Sequence, residues 1–257
     1  MKAVGIIPAR YGSSRFPGKP LALINGRPLL AWVIDGARTS TRLSEIAVAT
    51  DDERIAELAR ASGVRALMTD SALPTGTDRI FQAASQIDGL SDSDVIVNIQ
   101  GDEPLIEGSL LDRLVEPFYA DTTLEMATLG RALDLESLHS PNTAKIVLNK
   151  RDEAMYFSRL PIPYTRIEAA APFDGALKHI GIYAYRRSFL RQFCAEKPAP
   201  AELMESLEQL RALYLGARIK VVRVENDSWG VDTPEDVVKI ERLMKERINS
   251  LKGTSAR

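Results

Sequence analysis

Cysteine occurs once in the 257 residues, at Cys194, and histidine twice, at His139 and His179. A single thiol excludes an internal disulfide and any multi-cysteine zinc or iron–sulfur centre. Two imidazoles leave no histidine-rich metal site. Neither sign of charge is in excess, since 33 basic and 35 acidic side chains give a formal net charge of -2. That balance disfavours nucleic acid as a partner. No apolar run approaches the roughly 20 residues of a membrane span, so membrane insertion is not expected. The N-terminal run Ala3-Val4-Gly5-Ile6-Ile7 meets Pro8 and Arg10 too soon for a secretory signal. A cytoplasmic location with a reduced thiol is the expectation. What is present, 45% apolar and 26% charged residues, suits a globular chain of one large domain or two small ones.

Apolar strand patterns alternate with helical ones through the first half. Ala3–Pro8, Glu45–Thr50, Val64–Met68 and Asp94–Gln100 are expected strands. Between and after them, Pro28–Arg38, Asp52–Ser62, Thr77–Ile87 and about Ser109–Tyr119 carry helical periodicity. Continuous apolar strands alternating with helices predict an α/β fold, with a mostly parallel sheet covered on both faces. The second half is less regular. Met126–Ala132, Ala144–Leu148, His179–Tyr185 and Arg218–Val224 are expected strands. Leu160-Pro161-Ile162-Pro163-Tyr164 cannot be helical. Glu202–Leu215 is expected as one helix with Leu203, Leu207, Leu210 and Tyr214 inward, and Pro234–Leu251 as the last. One domain over 1–251 with a β-rich insertion at about 140–190 is the simplest organisation. A polar tail, 252–257, is expected to be disordered.

The segment Pro8-Ala9-Arg10-Tyr11-Gly12-Ser13-Ser14-Arg15-Phe16-Pro17-Gly18-Lys19-Pro20 follows the first strand. It therefore lies at that strand's carboxyl end, where open α/β sheets bind ligands. Its glycines allow close backbone approach, and Arg10, Arg15 and Lys19 match the charge of a polyphosphate. It is not a P-loop, because five residues separate Gly12 from Gly18 and Pro20 stands where Ser or Thr would bind magnesium. No G-x-G-x-x-G follows the strand, which argues against a dinucleotide-binding dehydrogenase.

Two acids sit in comparable places. Asp102, in Asn98-Ile99-Gln100-Gly101-Asp102-Glu103-Pro104, follows the fourth strand, and Asp232, in Gly230-Val231-Asp232-Thr233-Pro234-Glu235-Asp236, precedes the last helix. Thr233 with Pro234 makes a sufficient helix start, which leaves Asp232 for other work. Carboxylates without histidine or cysteine partners suit a hard cation such as Mg2+, which uses one or two carboxylates and completes its shell with phosphate and water.

With Ile7-Pro8-Ala9-Arg10-Tyr11, Gly18-Lys19-Pro20-Leu21, Val97 to Pro104 and Gly230 to Asp236, the chain resembles the 3-deoxy-manno-octulosonate cytidylyltransferase (CMP-Kdo synthetase) family. Gly76-Thr77-Asp78-Arg79, Tyr156-Phe157-Ser158-Arg159, His179 to Tyr185 and Glu205 to Arg211 extend the resemblance in collinear order from about Lys2 to Leu243. The resemblance implies a Rossmann-like nucleotidyltransferase fold with a β-rich dimerisation segment, a Mg2+-dependent cytoplasmic homodimer, and transfer of CMP from CTP to an eight-carbon sugar acid. Pyrophosphate leaves, and the activated sugar feeds lipopolysaccharide synthesis. By position, Arg10, Arg15 and Lys19 would hold the triphosphate, with Pro8, Ala9, Gly12 and Ser13 beside them and Thr75, Gly76 and Thr77 near the cytosine. Asp102 and Asp232 would hold magnesium and, with Lys19 and Arg15, carry the chemistry. Arg79, Gln100, Arg159, His179, Tyr185, Glu208 and Gln209 would surround the sugar acid. Tyr11 to Pro17 also resembles a branch that uses an 8-amino-3,8-dideoxy sugar acid, so the C8 substituent stays open, as does another acidic sugar. A catalytically silent nucleotide-binding regulator is a rival reading, and the retention of both Asp102 and Asp232 argues against it.

Overall fold

The computed structural model describes residues 1–12, 16–164, 176–225 and 229–254. Strand β1 (Ala3–Pro8) is followed by a small hairpin of β2 (Leu23–Ile24) and β3 (Arg27–Pro28) and by helix α1 (Leu29–Arg38). Next come β4 (Glu45–Thr50), α2 (Glu53–Ala61), β5 (Arg65–Met68), α3 (Gly76–Ala84) and β6 (Val95–Asn98). Then follow α4 (Gly108–Val115), α5 (Pro117–Ala120), β7 (Met126–Ala132), α6 (Leu135–His139), β8 (Lys145–Leu148), β9 (Ala154–Ser158) and β10 (Ala176–Arg186). The chain continues with α7 (Arg187–Ala195), α8 (Pro200–Glu205), α9 (Gln209–Tyr214), β11 (Ile219–Val224) and α10 (Pro234–Thr254).

The main sheet runs β11-β7-β10-β6-β1-β4-β5, with β8 and β9 joined to it through β10. Strand β1 pairs in parallel with β4 and β6, β4 with β5, and β11 with β7. Strand β10 runs antiparallel to β6, β7 and β8. The sheet is thus mostly parallel along its main row, as the apolar runs predict. Successive side chains of a strand point to opposite faces. Ala3 and Ile7 of β1 accordingly join the core formed with α1, α2 and α4, while Val4 and Ile6 join the one formed with α3 and α7. Leu29, Leu30, Val33, Ile34 and Ala37 form the buried stripe of α1.

Helix ends follow side-chain chemistry. The Asp52 carboxylate accepts from the Arg54 amide at the start of α2, and Gly63 beyond its end takes the left-handed φ of 72°. Thr75 caps α3 by accepting from the Asp78 amide. The expected helix over 77–87 therefore starts earlier and stops at Ala84.

Several expectations need correction. The helix expected over 109–119 is divided at Pro117, which has no N–H to continue the ladder. The helix expected over 202–215 is divided at Ser206, which adopts the left-handed conformation with φ 52°. Leu203 and Tyr214 then face out, 67% and 70% exposed, while Leu207 and Leu210 are core. Helix α10 runs to Thr254, so residues 252–254 continue the helix instead of beginning a tail. Strand β9, α6 and α7 were not expected; Phe189, Leu190 and Phe193 of α7 are all buried.

Two glycines let α1 and α4 pack backbone to backbone. A Cβ at Gly36 would lie 2.2 Å from the Ile106 carbonyl oxygen, and one at Gly108 would lie 1.9 Å from the Ser40 nitrogen. Both obstacles are main chain, so a side chain forces the helices apart. Gly108→Ala is expected to lower the unfolding free energy by about 1–3 kcal/mol through overpacking, measured by urea denaturation. An unchanged midpoint would show that the helix junction yields freely.

Candidate active site

Two clefts open at the carboxyl end of the parallel strands. The first, of about 290 Å³, is lined by Pro8, Ala9, Arg10, Lys19, Pro20, Leu73, Pro74, Thr75, Gly76, Arg79 and Gly101, together with Gln100, Asp102 and Asp232. The second, of about 500 Å³, includes Thr143, Arg159, His179, Tyr183, Glu208 and Gln209, and again Gln100, Asp102 and Asp232. The three shared residues make the clefts two halves of one site. A group bound in either half reaches the same pair of carboxylates.

The loop after β1 curls as its glycines allow. Gly18 takes φ 71° and its N–H donates to the Tyr11 carbonyl at 2.9 Å, closing the turn. Lys19 then enters a short 3-10 turn, Lys19–Leu21, and aims its ammonium inward. Exposed Arg10 lines the first cleft, and Gly12 is exposed on the same loop. Ser13 and Arg15 lie outside the described residues.

Asp102 and Asp232 come together. Lys19 Nζ is 2.7 Å from Asp102 Oδ2 and 3.6 Å from Asp232 Oδ1. The loops that carry them are tied by the Val231 N–H, which donates to the Asp102 carbonyl at 2.9 Å. Gly101 is pressed against β1, where a Cβ would stand 2.8 Å from the Pro8 carbonyl oxygen. At the start of α10 the carboxylate of Asp236 accepts from the Asp232 and Thr233 amides. Asp236 thus does the capping, and the Asp232 side chain is turned toward Lys19. Strand β6 ends at Asn98, so Asp102 stands further past the strand than the expected end at Gln100 suggests.

On the second side, Gln100 Nε2 donates to the Gly181 carbonyl at 2.7 Å, fixing β10 against the Asp102 loop. Arg159 donates from Nε to the Glu205 carbonyl, from Nη1 to Pro141 and from Nη2 to Ser206. Three of its five N–H donors are used in this way, leaving two for an anion. Lys145, fully buried, was missed in the sequence; its ammonium gathers the carbonyls of Ser140, Thr143 and Arg159 and so fixes one wall of the cleft. A single lysine at the head of the apolar run Ile146-Val147-Leu148 carries no signal of such a role.

Glu208 accepts from the Thr77 hydroxyl at 2.7 Å, and burial raises its carboxyl above the usual range. Gln209 Oε1 accepts from the Tyr183 hydroxyl at 3.1 Å, and its Nε2 faces His179 Nδ1 at 3.5 Å. The break in helix at Ser206 is what turns Glu208 and Gln209 to the cleft.

Three of the expected positions differ from the structure. Arg79 belongs to the first cleft, not the second. It is 3% exposed and reaches Asp51 and Thr69 across the ends of β4 and β5. Thr77 is buried and committed to Glu208, because Thr75 already occupies the helix cap; it lines neither cleft. Tyr185 lies too deep along β10, packed against Phe193 with ring centroids 6.1 Å apart, and Tyr183 takes the cleft position.

Desolvation lowers the His179 imidazole from 6.5 to about 3. The unfolded chain therefore takes up this proton first as pH falls. His179 contributes stability that is complete above pH 6.5 and is lost progressively toward pH 3. His179→Gln is expected to flatten the decline of Tm between pH 6.5 and 4, followed by calorimetry. A parallel decline in both proteins would contradict a neutral, desolvated ring.

The sequence matches the cytidylyltransferase family model over residues 4–219. It is 56% identical over 249 residues to the 3-deoxy-manno-octulosonate cytidylyltransferase of Bdellovibrio bacteriovorus, covering 96% of this chain and 99% of that one. The protein of the same name from Geobacter metallireducens is 46% identical, covering 96% and 100%. Among solved structures, CMP:2-keto-3-deoxy-manno-octonic acid synthetase complexed with CTP superposes with a TM-score of 0.90 at 40% identity, covering 96% of this chain and all of that one. With a family model matched over most of the chain and relatives at 46% and 56% identity over nearly their full length, the chain belongs to the 3-deoxy-manno-octulosonate cytidylyltransferase family.

Proposed function

We infer that this chain transfers CMP from CTP to the anomeric hydroxyl of 3-deoxy-D-manno-octulosonate, releasing pyrophosphate. The observation that carries the reading is the meeting of two clefts at Gln100, Asp102 and Asp232. One cleft is rimmed by Arg10, Lys19 and the α3 N-terminus, and suits a nucleoside triphosphate. The other offers Arg159 to a carboxylate, and Tyr183, Glu208 and Gln209 to hydroxyls. Relatives at 46% and 56% identity bear the 3-deoxy-manno-octulosonate name, which favours that acid over the 8-amino analogue or another acidic sugar.

The attacking hydroxyl comes from the second cleft and the α-phosphorus from the first. A new oxygen–phosphorus bond forms as the bond to pyrophosphate breaks, and the hydroxyl proton is released. Such transfers need positioning and charge neutralisation more than covalent help. Lys19 and Arg10 neutralise the triphosphate, and Arg15 is assigned the same task from its place in the loop. Gln100 keeps the two halves in register through Gly181. His179 is neutral at working pH with both nitrogens engaged, so it orients its neighbours and shuttles no proton in the reaction.

The donor set fits a magnesium ion. Two carboxylate oxygens already converge on one cation, the Lys19 ammonium, and both are hard donors on side chains that line both clefts. Asp102 and Asp232 would hold the metal, which when bound supplies charge neutralisation at the α-phosphate and makes the sugar hydroxyl more acidic.

The β-rich segment suggests how copies pair. Among the described residues β9 is an edge strand, paired in the sheet with β8, and exposes Met155 and Tyr156, with Leu160 and Tyr164 beyond it. A homodimer through this face removes apolar surface and an open edge from water together.

Two tests address these points. With CTP and a panel of keto-sugar acids, pyrophosphate release is expected only with 3-deoxy-manno-octulosonate at high efficiency. It should stop with EDTA, and Asp102→Asn and Asp232→Asn should each abolish it with circular dichroism unchanged. Full activity in both variants would remove the metal mechanism. In sedimentation, wild type is expected as a dimer and Tyr156→Glu as a monomer; identical mass in both would place the interface elsewhere.

A further inference from the structure

From the wall of the second cleft inward, four side chains stand in a hydrogen-bonded row, and the order of donors along it can be read from the buried end. Thr128 of β7 is fully buried, and its hydroxyl oxygen has three polar neighbours. These are His179 Nε2 at 3.0 Å, the Ile180 carbonyl at 3.2 Å and the Ile182 carbonyl at 2.9 Å. Both carbonyls face Thr128 because the β10 register shifts between Ile180 and Tyr183. A hydroxyl has one hydrogen, and a carbonyl can only accept. That hydrogen therefore goes to a carbonyl, Ile182 being the nearer, and Nε2 must donate to the hydroxyl oxygen.

The rest follows from this step. Desolvation keeps the ring neutral, so a proton on Nε2 leaves Nδ1 bare. Nδ1 accepts from Gln209 Nε2, which turns Gln209 Oε1 toward Tyr183, and the Tyr183 hydroxyl donates to it. The opposite polarity needs the Thr128 hydrogen for Nε2 and leaves both carbonyls facing lone pairs, a costly arrangement away from water.

We propose that Thr128, which lines neither cleft, is a positioning residue that sets the hydrogen-bond polarity of the sugar-acid cleft through His179. Tyr183 then presents oxygen lone pairs to the substrate, and Gln209 has its second amide hydrogen left to give. This wall selects a hydroxyl that donates to Tyr183. The inference rests on the assignment of the second cleft to the sugar acid.

The test reads the ring directly. The chain has two histidines, so ¹⁵N-resolved spectra of the full-length protein, with His139→Asn for assignment, report His179 alone. Wild type at pH 7 is expected to carry the proton on Nε2. Thr128→Val, which keeps the shape and loses the acceptor, is expected to move the ring toward the Nδ1–H form. It should raise the sugar-acid KM about tenfold, equivalent to about 1.4 kcal/mol, with the CTP KM unchanged. Thr128→Ser should restore both readouts. An Nδ1–H ring in wild type overturns the proposal, as does a Thr128→Val variant that shifts both KM values equally or neither. If Thr128→Val does not fold, the wild-type ring and the Ser variant decide. Absence of turnover with any sugar acid would retire the functional reading alone, while the spectra still decide the polarity.

Discussion

The Lys19 ammonium stands between two carboxylates carried by loops remote in sequence. Like charges so close repel strongly in a partly desolvated cleft. The lysine relieves that repulsion and holds Asp102 and Asp232 at one point. The backbone bond from Val231 to Asp102 and the close seat of Gly101 on Pro8 give the same arrangement a rigid floor. The construction holds both acids at one cation over a fixed backbone. A loop from β1, one from β6 and one before α10 are therefore parts of a single electrostatic unit.

The division of labour follows from the sheet. Its parallel strands end at one rim, and the first cleft uses only loops from that rim and the start of α3. The second cleft is built differently. It needs antiparallel β10, the Lys145-anchored loop and the broken helix that presents Glu208 and Gln209. Several buried polar groups on this side, Thr128, Lys145, His179 and Gln209 among them, have partners of defined direction. That is how a cleft can distinguish hydroxyl patterns.

Much of the first cleft was legible in the sequence because its signals are local. A loop of glycines and cations after a strand, and an acid left over beside a sufficient helix cap, keep their meaning without knowledge of the fold. The second cleft was less legible because its signals are not local. Leu203 and Tyr214 share a helical period with Leu207 and Leu210, yet one left-handed residue, Ser206, resets the phase. Arg79 and Thr77 lie in a motif that resembles the family's, but their burial depends on where α3 docks. Tyr185 and Tyr183 are alike in sequence, and only depth along β10 separates them. Thr128 and Lys145 look like any strand residues until their partners, distant in the chain, are brought to them.

Strand β10 runs against its neighbours, so its first half, not its last, reaches the rim of the sheet. A strand arriving from outside in this direction can be long, and here it carries β8 and β9 on its free flank. Gly181 of β10 is tied to Gln100, a residue shared by the two clefts. Changes in this lateral extension can therefore reshape the second cleft and leave the loop after β1 in place.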